Sequence, residues 1–215
     1  MERYAIIVAA GTGSRMGLGM PKQYLMLEGK TVLQHSLEAF VEADPTTHLI
    51  VVAHPDYYDA LHAIRQSCGV GFDLVAGGVS RSASVKNGLE HVPDDALVAV
   101  HDAARPWVTA ELINQCYAAA LEFGAATAAV PAKESLRHMQ PDGTSRAVNR
   151  KAYWVVQTPQ AFKAGLIKRA YTRVALDGSL TDDASVVEAA GHAVHLVEGS
   201  YANVKITTRE DLNEK

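Results

Sequence analysis

Short apolar runs rich in β-branched residues alternate along this chain with longer segments of helical period. That alternation marks βαβ units and a mostly parallel sheet. Strands are predicted at residues 4–9, 49–53, 73–76, 97–101, 126–130, 154–157 and 194–198, each nearly continuous in apolar residues, as strands covered on both faces should be. Between them Val32, Leu33, Leu37, Phe40 and Val41 recur at helical spacing, as do Tyr57, Leu61 and Ile64, and later Leu112, Ile113, Cys116 and Leu121. Thr109 and Gly124 supply a cap and a stop to the last of these helices. The expected fold class is therefore α/β, a Rossmann-like and mostly parallel sheet flanked by helices, in one domain spanning residues 1–215. No internal repeat or low-complexity linker divides it.

One stretch departs from the alternation. Residues 134–151 read as two polar strands around the Pro141, Asp142, Gly143 turn signal, a hairpin arm inserted in the domain. ESLRHMQ and TSRAVNR are too poor in apolar residues to enter the main sheet, so the arm either lies on the surface or packs on another chain.

Composition narrows the function. With 20 Lys and Arg against 24 Asp and Glu, the net charge is −4 and gives no basic surplus for nucleic acid, so any anion site must be local. No apolar run is long enough to span a bilayer. The first apolar segment has no basic stretch before it and leads into a glycine loop rather than a cleavage site, which points to a cytoplasmic protein. Cys68 and Cys116 cannot make a disulfide framework and match no zinc spacing; both are expected to be core thiols.

The first strand runs into Ala9, Ala10, Gly11, Thr12, Gly13, Ser14, Arg15, Met16 and Gly17, with Pro21, Lys22 and Gln23 following. A glycine loop at the carboxyl end of a first strand is where open α/β sheets bind ligands, because glycine lets backbone N–H groups approach phosphate oxygens. The loop lacks the Gly-Lys-Ser/Thr ending of a Walker A motif and fits the dinucleotide fingerprint poorly. It carries two cations instead. Arg15 and Lys22 suit a polyphosphate on which charge builds up during phosphoryl or nucleotidyl transfer; the competing reading makes them solvated loop residues.

His101, Asp102, Ala103, Ala104, Arg105 and Pro106 end a second strand, where Asp102 could hold a hydroxyl or a metal and Arg105 a phosphate, or the two could be a turn aspartate and a surface arginine. Gly77 and Gly78 precede Arg81, Ser82 and Ser84 in another turn into a helix that Ser80 or Ser82 can cap. Asn203 to Ile206 place Lys205 inside an apolar strand, from which it either snorkels to water or points at an anion. The nine histidines complete no metal set and are assigned to structure. Thr181, Asp182 and Asp183 read first as a helix cap with favourable first-turn carboxylates, and second as groups near a metal.

Taken in order, AAGTGSRMG with PKQYL, GGVSRSASVKNGL, HDAARP, NRKAYW, QTPQAF, TDDAS and VEGSYANVKIT resemble the 2-C-methyl-D-erythritol 4-phosphate cytidylyltransferases of the non-mevalonate isoprenoid pathway over nearly the whole chain. The resemblance implies a homodimeric, Mg²⁺-dependent transferase in which the phosphate of methylerythritol phosphate attacks the α-phosphorus of CTP and expels pyrophosphate. It implies that Arg15 and Lys22 stabilise the transition state. Ala9, Ala10, Gly11, Thr12, Gly13, Gly78 and Ser84, with Asp102 and Ala103, would hold the nucleotide. Asp102, Arg105, Ser135 and Thr158 would line the acceptor side, and Arg150 on the arm, with Lys205, would position the acceptor phosphate. Val79 stands where the family commonly has an aspartate, Glu134 and Ser135 stand where it has an Asp-Thr pair, and little of the family's closing helix follows Thr207, Thr208, Arg209 and Glu210. The competing readings are a ribitol 5-phosphate cytidylyltransferase, which shares several of these segments, and a non-catalytic nucleotide-binding module.

Overall fold

A computed structural model describes residues 1–11, 20–176, 178–208 and 211. In chain order the strands and helices are β1 (Arg3–Ala9), β2 (Met26–Leu27), β3 (Lys30–Thr31), α1 (Val32–Ala43), β4 (His48–Ala53), α2 (Tyr58–Cys68), β5 (Asp73–Ala76), α3 (Arg81–Leu89), β6 (Leu97–Asp102), α4 (Ala110–Phe123), β7 (Ala125–Pro131), β8 (Arg137–Met139), β9 (Ser145–Ala147), β10 (Trp154–Lys163), α5 (Ala164–Arg173), α6 (Asp183–Ala189) and β11 (His195–Glu198). The main sheet has seven strands in the order β11-β7-β10-β6-β1-β4-β5. All its pairings are parallel except those of β10, which runs antiparallel to both β6 and β7. The expected mostly parallel sheet is present.

Alternation along β1 shows how the sheet is buried on two faces. Ala5, Ile7 and Ala9 join the cluster made with Leu33, Leu37 and Phe40 of α1, Leu61 of α2 and Ile113 and Tyr117 of α4. Ile6 points to the other side, where Val85 and Leu89 of α3, Ile167 of α5 and Val187 of α6 pack. Thr109 caps α4 through the Leu112 N–H, and Gly124 ends it at φ 93°, as its position in the sequence predicts. Of the two candidate serines, Ser80 caps α3, accepting from the Ala83 N–H at 3.0 Å.

Several expectations need correction. Trp154, Val155 and Val156 are exposed rather than covered, because this end of β10 pairs only with β7, while β6 joins it from Gln160 onward. β11 and β5 are sheet edges and are largely exposed. Residues 203–206 form no strand: the Asn203 side-chain amide donates a hydrogen bond to the Thr158 carbonyl at 2.9 Å, and the Ile206 N–H donates to the Ala104 carbonyl at 2.8 Å. Cys116 is buried as expected, whereas Cys68 at the end of α2 is half-buried. β10 runs six residues past the expected strand end at 157, and α5 and the β2–β3 ladder have no counterpart in the sequence reading. The arm does form a ladder of its own, with Arg137 opposite Ala147 and Gly143 at φ 83° in its turn.

From β1 the chain builds outward through β4 and β5, then returns to place β6 on the other side of β1. The crevice at such a reversal, at the carboxyl ends of the strands, is where open sheets hold ligands.

Candidate active site

Two adjoining cavities open there. The larger, about 470 Å³, is lined by the loop after β1 (Ala10, Gly11), by Lys22 and Gln23, by the turn before α3 (Gly78 to Arg81, with Ser84) and by Asp102 and Ala103. The smaller, about 220 Å³, lies between Asp102, Arg105, Thr158, Gln160 and Asp182. Arg81, Asp102 and Lys205 line both.

The walls of the larger cavity are set by close packing. A Cβ on Gly77 would lie 2.4 Å from the Ala10 side chain, and one on Gly78 would lie 2.5 Å from that of Ala83, so only glycine lets these loops meet. The buried Gln23 amide donates to the Ala9 carbonyl at 2.6 Å and the Gly11 carbonyl at 2.9 Å, fixing the path of the chain as it leaves β1. Ser84 Oγ accepts the Gly78 N–H at 3.0 Å and donates to the Ser80 carbonyl at 2.9 Å, which makes it a brace for the glycine turn.

Asp102, almost wholly buried at the end of β6, is the centre of charge. Its Oδ1 lies 3.2 Å from Arg81 Nε, its Oδ2 lies 2.7 Å from Lys205 Nζ, and Arg105 Nε stands 4.0 Å away. Burial alone would raise its pKa, but Arg81 and then Lys205 outweigh that and hold the carboxyl well below the usual carboxylate range. Arg81 also pairs with the fully buried Asp183 at 2.9 Å. Burial would weaken the charge on Arg81; the two carboxylates more than offset it and keep the guanidinium firmly protonated. Arg105 in turn donates to the Asn203 carbonyl at 2.7 Å, linking the β6 loop to the segment that carries Lys205.

The structure thus brings Ala10, Gly11, Lys22, Gly78, Ser84, Asp102, Ala103, Arg105, Thr158 and Lys205 to the two cavities, while Ala9 stands behind them as the carbonyl that Gln23 holds. Thr12, Gly13 and Arg15 lie outside the described residues. Ser135 and Arg150 are exposed on and beside the arm, line neither cavity, and the Arg150 guanidinium donates to the Lys133 carbonyl. Lys205 does point at an anion, and within this chain that anion is the Asp102 carboxylate.

The sequence placed Arg81 only in a turn into a helix, Asp183 in a helix cap and His54 among structural histidines, whereas Arg81 and His54 line the larger cavity and Asp183 pairs with Arg81. Arg81 carried a usable signal: a cation at the first position of a helix opposes the helix dipole and needs a carboxylate nearby. His54 follows the carboxyl end of β4, the edge where ligands bind. Among the described residues no group of three or more His, Cys, Asp or Glu could hold a metal ion, and Asp102 already faces three cations, so these side chains offer a divalent ion no ligand set of their own. No helix of the described residues is long and apolar enough to cross a membrane.

The chain is similar over its length to known proteins. A 2-C-methyl-D-erythritol 4-phosphate cytidylyltransferase of Bacteroides thetaiotaomicron is 45% identical over 214 residues, covering 99% of this chain and 97% of its own. The chloroplastic enzyme of that name from Oryza sativa is 37% identical, over 96% of this chain and 71% of its own. Among solved structures, the 4-diphosphocytidyl-2C-methyl-D-erythritol synthase of Anaerococcus prevotii superposes with a TM-score of 0.87 at 29% identity, covering 99% of this chain and 95% of that one. The 2-C-methyl-D-erythritol 4-phosphate cytidylyltransferase of Thermus thermophilus gives 0.79 at 35% identity, over 99% and 96%. The family model for 2-C-methyl-D-erythritol 4-phosphate cytidylyltransferase matches residues 4–214, and the chain belongs to that family.

Proposed function

We propose that this protein transfers CMP from CTP to 2-C-methyl-D-erythritol 4-phosphate, giving 4-diphosphocytidyl-2-C-methyl-D-erythritol and pyrophosphate. The observation that carries the reading is the pair of cavities with a shared wall of Arg81, Asp102 and Lys205. The larger, walled by glycine turns and Lys22, suits a nucleoside triphosphate; the smaller, lined by Asp102, Arg105 and Thr158, suits a polyol phosphate. Both substrates are water-soluble phosphates, in keeping with a cytoplasmic enzyme, and the nucleotide substrate is the magnesium–CTP complex.

An acceptor phosphate oxygen forms a bond to the α-phosphorus while the bond to the bridging oxygen breaks, and pyrophosphate leaves with that electron pair. The attacking group is already an anion, so no general base is required, and the site offers cations and close backbone rather than an acid–base pair. Catalysis rests on alignment and charge neutralisation. Lys22 and Arg15 serve the triphosphate, and Lys205 passes from Asp102 to the acceptor phosphate. Arg81 remains with Asp102, so that carboxylate stays neutralised when Lys205 leaves. Arg150 reaches the acceptor from the arm of a second subunit.

Pyrophosphate release measured with CTP and either methylerythritol phosphate or ribitol 5-phosphate tests the reading. Turnover is expected with the first and far less with the second. Equal or better turnover of ribitol 5-phosphate would move the assignment to that acceptor, and no consumption of CTP with either would leave a nucleotide-binding module.

A further inference from the structure

The Thr158 hydroxyl belongs to a chain of hydrogen bonds that ends on a backbone carbonyl, and that end fixes the protons along it. The Arg105 carbonyl can only accept, and it lies 3.3 Å from His101 Nε2, so Nε2 carries a proton. The ring is fully buried and packs edge-on against Phe40 with centroids 5.4 Å apart, surroundings that favour neutral imidazole. Burial pushes its pKa down to about 4, with Arg105 and Lys205 acting in the same direction against Asp102. A neutral ring protonated on Nε2 has a bare Nδ1, and Thr158 Oγ1 at 3.0 Å must donate to it. The same oxygen accepts the Asp102 N–H at 3.1 Å. The Thr158 proton is therefore committed and one lone pair is taken. One lone pair remains for the smaller cavity, whose wall Thr158 helps to form.

We propose that His101 is a positioning residue for the acceptor: it holds Thr158 as a pure hydrogen-bond acceptor, so that Thr158 selects a hydroxyl donor on the incoming polyol phosphate. The inference rests on the acceptor assignment made above. With the ring protonated on Nδ1 instead, Thr158 would be free to donate and would favour an acceptor atom such as a phosphate oxygen. His101 touches no substrate itself, and the same ring also braces the Arg105 carbonyl, so a single proton arrangement sets two residues of the smaller cavity.

Long-range ¹H–¹⁵N spectra of the imidazoles in the unmutated protein at neutral pH read the arrangement directly. A proton on Nε2 with bare Nδ1 is expected for His101, and a ring protonated on Nδ1 or on both nitrogens overturns the proposal even if no His101 variant folds. A double-mutant cycle then tests whether the arrangement acts on the acceptor. Thr158→Val and His101→Phe are each expected to raise KM for methylerythritol phosphate by roughly 3–10-fold, the worth of one net hydrogen bond, with KM for CTP unmoved. Thr158→Ser, which keeps the hydroxyl, should stay near the parent. In the double variant the combined effect should fall well short of the product of the two, since His101 acts largely through Thr158 and keeps only its brace on the Arg105 carbonyl as a separate contribution. Effects that multiply independently, or a matching rise in KM for CTP, would mean a merely structural histidine. If the unmutated protein turned over no acceptor, the functional reading itself would fall and this inference with it, whereas an active parent with independent effects removes the inference alone.

Discussion

Arg81 meets Asp183 at 2.9 Å while its Nε lies 3.2 Å from Asp102, so one guanidinium ties the start of α3 to the end of β6 and the start of α6. Asp183 is fully buried and also accepts from the Tyr171 hydroxyl at 2.5 Å. Asp183→Ala takes from Arg81 one of its two carboxylates and leaves the buried Tyr171 hydroxyl without its acceptor, so it should lower unfolding free energy by about 1–3 kcal/mol in urea denaturation. Asp183→Asn keeps an acceptor for Tyr171 and should cost less. A loss in the alanine variant no larger than that of an exposed ion pair would show that Arg81 is balanced by solvent instead.

Acid should weaken the fold through His101. Its pKa in the folded state is about 4 against an ordinary 6.5, because burial, then Arg105 and Lys205, oppose the imidazolium more than Asp102 supports it. Between those values the unfolded chain takes up a proton that the folded chain refuses, so stability falls as pH is lowered from about 6.5 to 4. The slope from this one group is at most about 1.4 kcal/mol per pH unit. Asp102, depressed from 3.8, acts in a lower window: its contribution is present above that value and is lost as pH falls through the folded-state pKa. Comparing urea midpoints of the parent and His101→Phe at pH 7 and 5 isolates the histidine, and parallel losses in both proteins would remove it as the cause.

Gly78→Ala should damage the nucleotide side. The added Cβ would lie 2.5 Å from the Ala83 side chain and 2.9 Å from its carbonyl carbon, which forces the turn away from α3. Overpacking of this kind costs about 1–3 kcal/mol, and the displaced turn should raise KM for CTP by roughly tenfold or more. An unchanged KM for CTP with normal stability would place the nucleotide elsewhere.

What could be read from the sequence followed from how local each signal is. Thr109 and Gly124 announce a helix within a few residues of where they act, and Gly77 and Gly78 mark a turn legible from the glycines themselves, with one crowding partner, Ala83, in the same segment. Lys205 illustrates the opposite limit. Its apolar neighbours suggested a strand, yet those residues are held by Thr158 and Ala104, contacts that no periodicity encodes. The expected burial of Trp154 to Val156 failed for a related reason: an apolar run tells that something covers it, and within this chain β6 does not reach that far. The roles of Arg81 and His101 depend on partners in β6, β10 and α6 that only the folded sheet brings together.

Lys205 sits on Asp102 with its side chain only partly exposed, and the proposed transfer of its ammonium to the acceptor phosphate makes a specific prediction. Lys205→Ala should lower kcat/KM for methylerythritol phosphate by roughly 10²-fold, the scale for removing one electrostatic stabiliser, with the smaller effect on KM for CTP. Equal losses toward both substrates would assign Lys205 to the nucleotide.

The arm supplies the last prediction. Arg150 lies just where the arm returns to the body, bonded to the Lys133 carbonyl and outside both cavities of its own chain. Beside it Tyr153, Trp154, Val155 and Val156 form a run of exposed apolar residues, Val155 at 55%, which a water-facing strand would not retain without a cover. A two-fold dimer answers both observations, because each subunit would bury the other's apolar run and donate an Arg150 to the other's smaller cavity. Mixing Arg150→Ala with Lys22→Ala subunits under conditions that exchange chains separates this from a self-contained site. In a mixed dimer with shared sites, one site combines an intact core with an intact arm while the other carries both lesions, so activity should reappear though each parent is nearly inactive. If Arg150 serves its own chain, every site of the mixed dimer keeps one lesion. Absence of recovery, with exchange confirmed by mass, would therefore return the arm to the surface of a single subunit.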